Sequence, residues 1–198
     1  MSVELSPIIA GVMNWGVWDK NLNTNEFTHL INLFIENGIT TFDHADIYGG
    51  YTTEASFGKA LSESKIDRKK IQLITKCGIQ YVSENRPNNS IKHYEYSKDY
   101  IIWSAENSLK NLQTDYLDVF LLHRPSPLMQ ADEIAEAVSK LKADGKILSF
   151  GVSNFTPSQT ELIRQKTQVD INQIQFSATH NEAMLDGSLD YMQIHNIK

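Results

Sequence analysis

Along the chain, short runs that are almost wholly apolar or β-branched alternate with longer stretches where apolar residues recur every three or four positions. TTFD, IQLIT, LDVFLL, LSFGV and INQIQF are runs of the first kind. Strands buried on both faces of a parallel sheet read this way, because neither face is left to water. The stretch from Thr24 is of the second kind: Phe27, Leu30, Ile31, Phe34 and Ile35 share one helical face, with Asn23 or Thr24 placed to cap it and Gly38 to stop it. The pattern predicts strands over residues 8–13, 40–43, 71–76, 117–123, 149–153 and 171–176. It predicts helices over 24–37, 53–64, 98–112, 131–144, 157–166 and 188–195. Such alternation is the order of an α/β fold. No linker, composition shift or repeat divides the chain, so 1–198 is expected to be one domain. Residues 80–97 carry no periodicity and are expected to be an irregular loop, of the kind that often serves as a lid.

Two parallel architectures compete. A doubly wound dinucleotide-binding sheet places G-x-G-x-x-G after its first strand, where this chain has GVMNWG with the wrong spacing and bulky residues. The distribution of polar residues favours the other. Asp43, Lys76, His123, the pair Ser153–Asn154, and Gln175 each fall at the C-terminal end of a different predicted strand. In a closed (β/α)8 barrel those ends form one face, and catalytic residues gather there. A barrel of the TIM type is the expectation.

Composition narrows the class. Of 198 residues, 41% are hydrophobic and 21% charged, an ordinary globular profile. Net charge is −6 with no basic run, which argues against a nucleic-acid or anionic-membrane surface. No apolar stretch approaches the ~18 residues of a membrane span, and the first residues lack the basic region and cleavage site of a secretory signal. Cys77 is the single cysteine, so no intrachain disulfide forms and a reducing, cytoplasmic setting is expected.

If the barrel is right, Asp43, Tyr48, Lys76 and His123 face one mouth. A free phenol, with a pKa near ~10, is a poor acid at neutral pH. A neighbouring ammonium is expected to lower that pKa, and a carboxylate to hold the ammonium charged and oriented. A histidine can donate to a carbonyl oxygen as negative charge develops on it. Together these groups would polarise and protonate a carbonyl while hydride arrives from elsewhere. Each also has a plain structural reading: a rim tyrosine, a solvated lysine, loop-capping Asp43 and His123, a helix cap at Ser153–Asn154, a barrel-interior Gln175. His44, Asp46 and His123 suggest a metal only weakly, since strand alternation sends Asp43 and His44 to opposite sides, and no metal is expected. Cys77 reads as a buried small hydrophobe. Trp15, Trp18 and Trp103 read as core, with Trp15 and Trp18 also placed to line a pocket.

FDHADIYG, ITKCG, LDVFLLHRP and especially GKILSFGVSNF resemble the aldo-keto reductase superfamily, nearest its bacterial YdhF-like oxidoreductase branch, over almost the whole chain. The resemblance implies a (β/α)8 barrel and NADPH-dependent reduction of a small aldehyde or ketone. It implies Tyr48 as proton donor, Lys76 as its partner, Asp43 as the lysine's anchor and His123 as the residue orienting the carbonyl. Ser153, Asn154 and Gln175 would hold the nicotinamide carboxamide, and the turn at Gly11 and Met13 would line the cofactor. A cofactor-binding regulatory module without turnover is the alternative, and a metal-dependent hydrolase a third reading. A (β/α)8 barrel runs ~250 residues. Six predicted strands therefore read as a barrel short of its last two strand–helix units, without the family's seventh-strand aromatic or its 2′-phosphate-binding residues. Such a chain, tested alone, is expected to aggregate, pair through open edges or resemble a molten globule.

Overall fold

The computed structural model describes residues 3–198. In order, the chain forms β1 (Ile9–Gly11), α1 (Thr24–Glu36), β2 (Thr41–Asp43), a single turn α2 (Tyr48–Tyr51), α3 (Thr53–Ser64), β3 (Gln72–Cys77) and the short β4 (Ile79–Gln80) and β5 (His93–Tyr94). It continues through α4 (Lys98–Leu112), β6 (Leu117–Leu122), α5 (Ala131–Ala143), β7 (Ile147–Ser153), α6 (Pro157–Arg164), β8 (Ile171–Gln173) and α7 (Ser188–Ile194). Local sequence accounts for the helix starts. Asn23 caps α1 reciprocally with Glu26, and Thr156 caps α6 with Gln159, each pair satisfying two backbone N–H groups that have no intrahelical partner.

Six strands pair in parallel in the order β1-β2-β3-β6-β7-β8. Each new strand adds beside the last, with no reversal of direction across the sheet. A doubly wound sheet reverses order at a switch point; this one curls steadily, tracing the arc of a (β/α)8 barrel. Alternation divides the strands between two cores. One face sends Phe42, Leu73, Phe120, Leu122, Phe150 and Val152 into the layer beneath the helices. The other gathers Ile74, Val119, Leu121 and Ile171 on the barrel-interior side, with Val3 and Leu5 packed against them. Trp15 lies in the helix layer against Phe27 and Phe34, so its core reading holds.

Three expectations need correction. The outermost strands are shorter than predicted, Ile9–Gly11 instead of 8–13 and Ile171–Gln173 instead of 171–176: the chain turns at residues 13–15 after β1, and after β8 the Gln175 N–H bonds the Asn154 side chain in place of a ladder carbonyl. Residues 80–97 are not simply irregular: β4 and β5 pair antiparallel, Ile79 with Tyr94 and Gln80 with His93. Their surroundings are ordered by contacts without periodicity. Tyr81 stacks on Tyr51 at 5.1 Å, and the Arg86 guanidinium lies over the rings of Tyr51 and Trp103 at 4.6 and 4.8 Å. Trp103, with 43% of its surface exposed, packs here and not in the core.

Gly151 lets the sheet close up between β7 and β8. A Cβ at this position would stand 2.4 Å from the Ile171 carbonyl oxygen, a backbone atom that cannot swing away. Gly151→Ala is expected to force β8 outward and destabilise the fold by about 1–3 kcal/mol, the usual cost of overpacking. Urea denaturation checks this; an unchanged midpoint would show that the two strands part freely.

Candidate active site

Successive parallel strands deliver the site. In register, Asp43 of β2 pairs with Ile74 of β3, which puts Lys76 one inward-facing position farther along. Lys76 pairs with Leu121 of β6, and His123 follows directly after that strand, its backbone N–H donating to the Cys77 carbonyl. Tyr48 enters from the loop after β2. Gly49 and Gly50 have φ of +59° and +66°, and a Cβ on Gly49 would come within 2.4 Å of Thr53 Oγ1. Only glycine takes this turn without strain, and the turn folds the Tyr48 ring back over the strand ends.

Lys76 is the hub. Only 2% of it is exposed. Its Nζ donates to Asp43 Oδ1 and Oδ2 at 2.7 and 2.8 Å, to the His44 carbonyl at 2.7 Å and to Tyr48 Oη at 3.2 Å. An ammonium has three N–H donors, and here the carboxylate, the carbonyl and the phenol take them all. Burial lowers the Lys76 pKa from its usual value, and the Asp43 charge works against that fall. The expected lowering of the Tyr48 pKa is not what the environment produces. Burial first, and then the charge and hydrogen bond of the Asp43 carboxylate, raise it, while the Lys76 charge that would lower it is paired with that same carboxylate. Tyr48 is therefore held firmly protonated. His123 lies with its ring 6.1 Å from that of Tyr48. Burial, with the Lys76 and Arg124 charges, pushes its pKa down to about 3, so the imidazole is neutral, and its Nδ1 is buried without a partner.

Across the cavity, Asn154 adopts φ +56° at the end of β7, a left-handed conformation that asparagine tolerates. Its Oδ1 accepts from the Gln175 backbone N–H at 2.8 Å, and its Nδ2 donates to Ser153 Oγ at 3.0 Å. The Ser153 hydroxyl in turn donates to the Gln173 carbonyl. A cavity of about 300 Å³ is lined by Asp43, Tyr48, Lys76, His123, Arg124, Ser153, Asn154 and residues 173–175. Seven of the nine residues singled out in the sequence therefore meet in one place. Gly11 and Met13 do not: Gly11 sits level with Asp43 in the register, but both line a separate hollow with Trp15 and Leu30.

Two polar lining residues were not singled out. Gln173 donates from Nε2 to Asp43 Oδ1 at 3.1 Å. The alternation in Gln173-Ile174-Gln175 puts both glutamines on one face, a signal that was available. Arg124, next to His123, is the other. Trp18, half exposed, lies 6.1 Å from the Tyr48 ring and 6.4 Å from that of Tyr81, at the rim. Behind the site, the His44 ring meets Phe57 edge-on at 4.4 Å, on the side away from Lys76 Nζ. Burial and Glu54 raise the Asp46 pKa to about 8. Cys77 is fully buried, and burial raises its thiol pKa well above the usual value. Among the described residues, no three His, Cys, Asp or Glu side chains are grouped to hold a metal, and no helix is long and apolar enough to cross a membrane.

The chain is 44% identical to the oxidoreductase YdhF of Escherichia coli over 96% of its own length and 63% of that protein. It is 46% identical to the oxidoreductase YcsN of Bacillus subtilis (96% and 64%) and 37% identical to a 6-dehydroglucose reductase of Agrobacterium fabrum (96% and 65%). The chain thus spans less than two thirds of the length of these relatives. A glycerol dehydrogenase of Gluconobacter oxydans superposes with a TM-score of 0.86 at 28% identity, over 100% of this chain and 59% of that one. An aldo-keto reductase of Bacillus halodurans, solved in its holo form, gives 0.83 at 26% identity over 99% and 61%. The model of the aldo/keto reductase family matches residues 7–198, and the chain belongs to that family.

Proposed function

We propose that this chain carries the proton-donating and carbonyl-binding part of a nicotinamide-dependent reductase that converts a small aldehyde or ketone to an alcohol in the cytoplasm. One observation carries the reading: Lys76 Nζ is bound at once to both Asp43 oxygens and, at 3.2 Å, to Tyr48 Oη. Burial and the Asp43 carboxylate keep the phenol protonated at rest, and the arrangement puts a cation beside it when its proton leaves.

The residues present suit a nicotinamide. Its carboxamide needs an acceptor and donors. Asn154 Nδ2 keeps one N–H beyond its bond to Ser153, and among the described residues the Gln175 side chain makes no hydrogen bond, only its backbone N–H doing so. When bound, the reduced cofactor, NADPH in this proposal, supplies hydride to the carbonyl carbon. His123, neutral, donates an N–H to the carbonyl oxygen and fixes its direction. As negative charge gathers on that oxygen, Tyr48 Oη gives up its proton to it. The phenolate left behind is stabilised by Lys76, whose place is held by Asp43 and the His44 carbonyl. The phenol is reprotonated from solvent after the alcohol departs.

Tyr48→Phe keeps the ring's packing and removes the proton. It is expected to lower turnover of 4-nitrobenzaldehyde by roughly 10²–10⁴-fold, the usual contribution of a positioned general acid, with little change in NADPH affinity. NADPH consumption and a fluorescence titration read the two quantities; near-normal turnover in the variant would remove Tyr48 from its role, and cofactor binding without consumption in the parent would favour a regulatory module. The histidines give a second test. Burial pulls the pKa of both His44 and His123 down to about 3 from 6.5. The unfolded chain therefore binds more protons there between about pH 3 and 6.5, and their contribution to stability, full above 6.5, falls as pH drops through that window. In a proton NMR titration, the C2–H signals of His44 and His123 are expected to stay at the neutral position down to about pH 4. A midpoint near 6.5 for His123 would contradict a neutral donor imposed by burial.

A further inference from the structure

Three charged side chains line the catalytic cavity: Asp43, Lys76 and Arg124. The first two neutralise each other. Among the described residues, Arg124 has no carboxylate within ion-pairing distance, and its guanidinium makes no hydrogen bond, although the residue is half-buried. The cavity therefore carries one positive charge more than it balances. A partly buried cation without a counter-charge is costly, and an arriving anion relieves that cost.

The placement of Arg124 is fixed by its backbone. Its N–H donates to Tyr96 Oη at 3.2 Å, and its carbonyl accepts from the same hydroxyl. Pro125 follows and restricts the turn, and His123, the carbonyl-orienting residue of the proposed reaction, precedes it. The side chain thus issues from the same rim as the group that would hold the reacting oxygen. Its charge is felt by both Tyr48 and His123, whose pKa values it lowers. A guanidinium offers planar paired donors that match carboxylate and phosphate oxygens.

We propose that Arg124 is a specificity-determining residue that receives an oxyanion carried by the substrate, so that the preferred substrates are carbonyl compounds bearing a carboxylate or phosphate. This rests on the reductase reading and adds the substrate class to it. The test compares 4-formylbenzoate and 4-formylphenyl phosphate with the uncharged methyl 4-formylbenzoate, in the parent, Arg124→Met and Arg124→Lys. The parent is expected to favour at least one anion over the ester by roughly 10- to 100-fold in kcat/KM, in line with a charge-assisted hydrogen-bonded pair. Arg124→Met should collapse that ratio towards one, Arg124→Lys should restore part of it, and added salt should narrow it in the parent. The two anions separate carboxylate from phosphate recognition.

A ratio near one in the parent, or a ratio unmoved by Arg124→Met, would overturn the assignment while leaving the reductase intact. So would a loss of NADPH affinity in Arg124→Met without a change in the ratio, which would assign the guanidinium to the cofactor. If no compound is turned over, the reductase reading fails separately. Binding of 4-formylbenzoate against its ester, read by tryptophan fluorescence with Trp18 at the rim, then decides the assignment: selective binding lost in Arg124→Met supports it, and equal binding refutes it.

Discussion

The buried ammonium of Lys76 is the constraint around which the site is organised. A charge this far from water is tolerable only when its donors are all taken and a counter-charge lies against it. Asp43, the His44 carbonyl and Tyr48 meet that demand. Each partner arrives by a different structural route: the first through β2–β3 register, the second through the backbone at the end of β2, and the third through the glycine turn at Gly49–Gly50. A slip of one residue between β2 and β3 would turn Lys76 or Asp43 towards the helices and strand a charge in an apolar layer. The ion pair is therefore a register lock as well as a chemical group.

The same dryness tunes the neighbours in opposite senses. Desolvation disfavours whichever form carries charge, so it raises the phenol of Tyr48 and lowers the imidazole of His123. Both are left neutral and hydrogen-bearing beside a cation that is already committed. Such a pocket offers donors in fixed positions, with little reorganisation needed as charge develops on a bound oxygen. Rim elements are of a different kind. Arg86 lies between Tyr51 and Trp103, and Tyr81 stacks on Tyr51, so the segment after β4 is held by ring faces and by hydrogen bonds to Ile47, Gly50 and Tyr51, outside the six-stranded sheet. Chemistry on strand ends and selectivity on loops is the usual division of labour in barrels.

The chain's own pattern determined the strand and helix alternation, the limits of helices such as Thr53–Ser64 and Lys98–Leu112, and the strand-end positions of Asp43, Lys76, His123 and Ser153. Those features follow from local rules: side-chain period, capping and burial on both faces. Tertiary structure decided the rest. It chose Gln173 to touch Asp43 where Gln175 had been expected to end the strand, moved Gly11 and Met13 to another hollow, and ordered residues 80–97 through aromatic and guanidinium contacts. It also reversed the direction of the Tyr48 shift. A sequence names the charges that are near one another along the chain, but a pKa depends on how much water each has lost and on which charge is already paired. Both quantities exist only once the strands have packed.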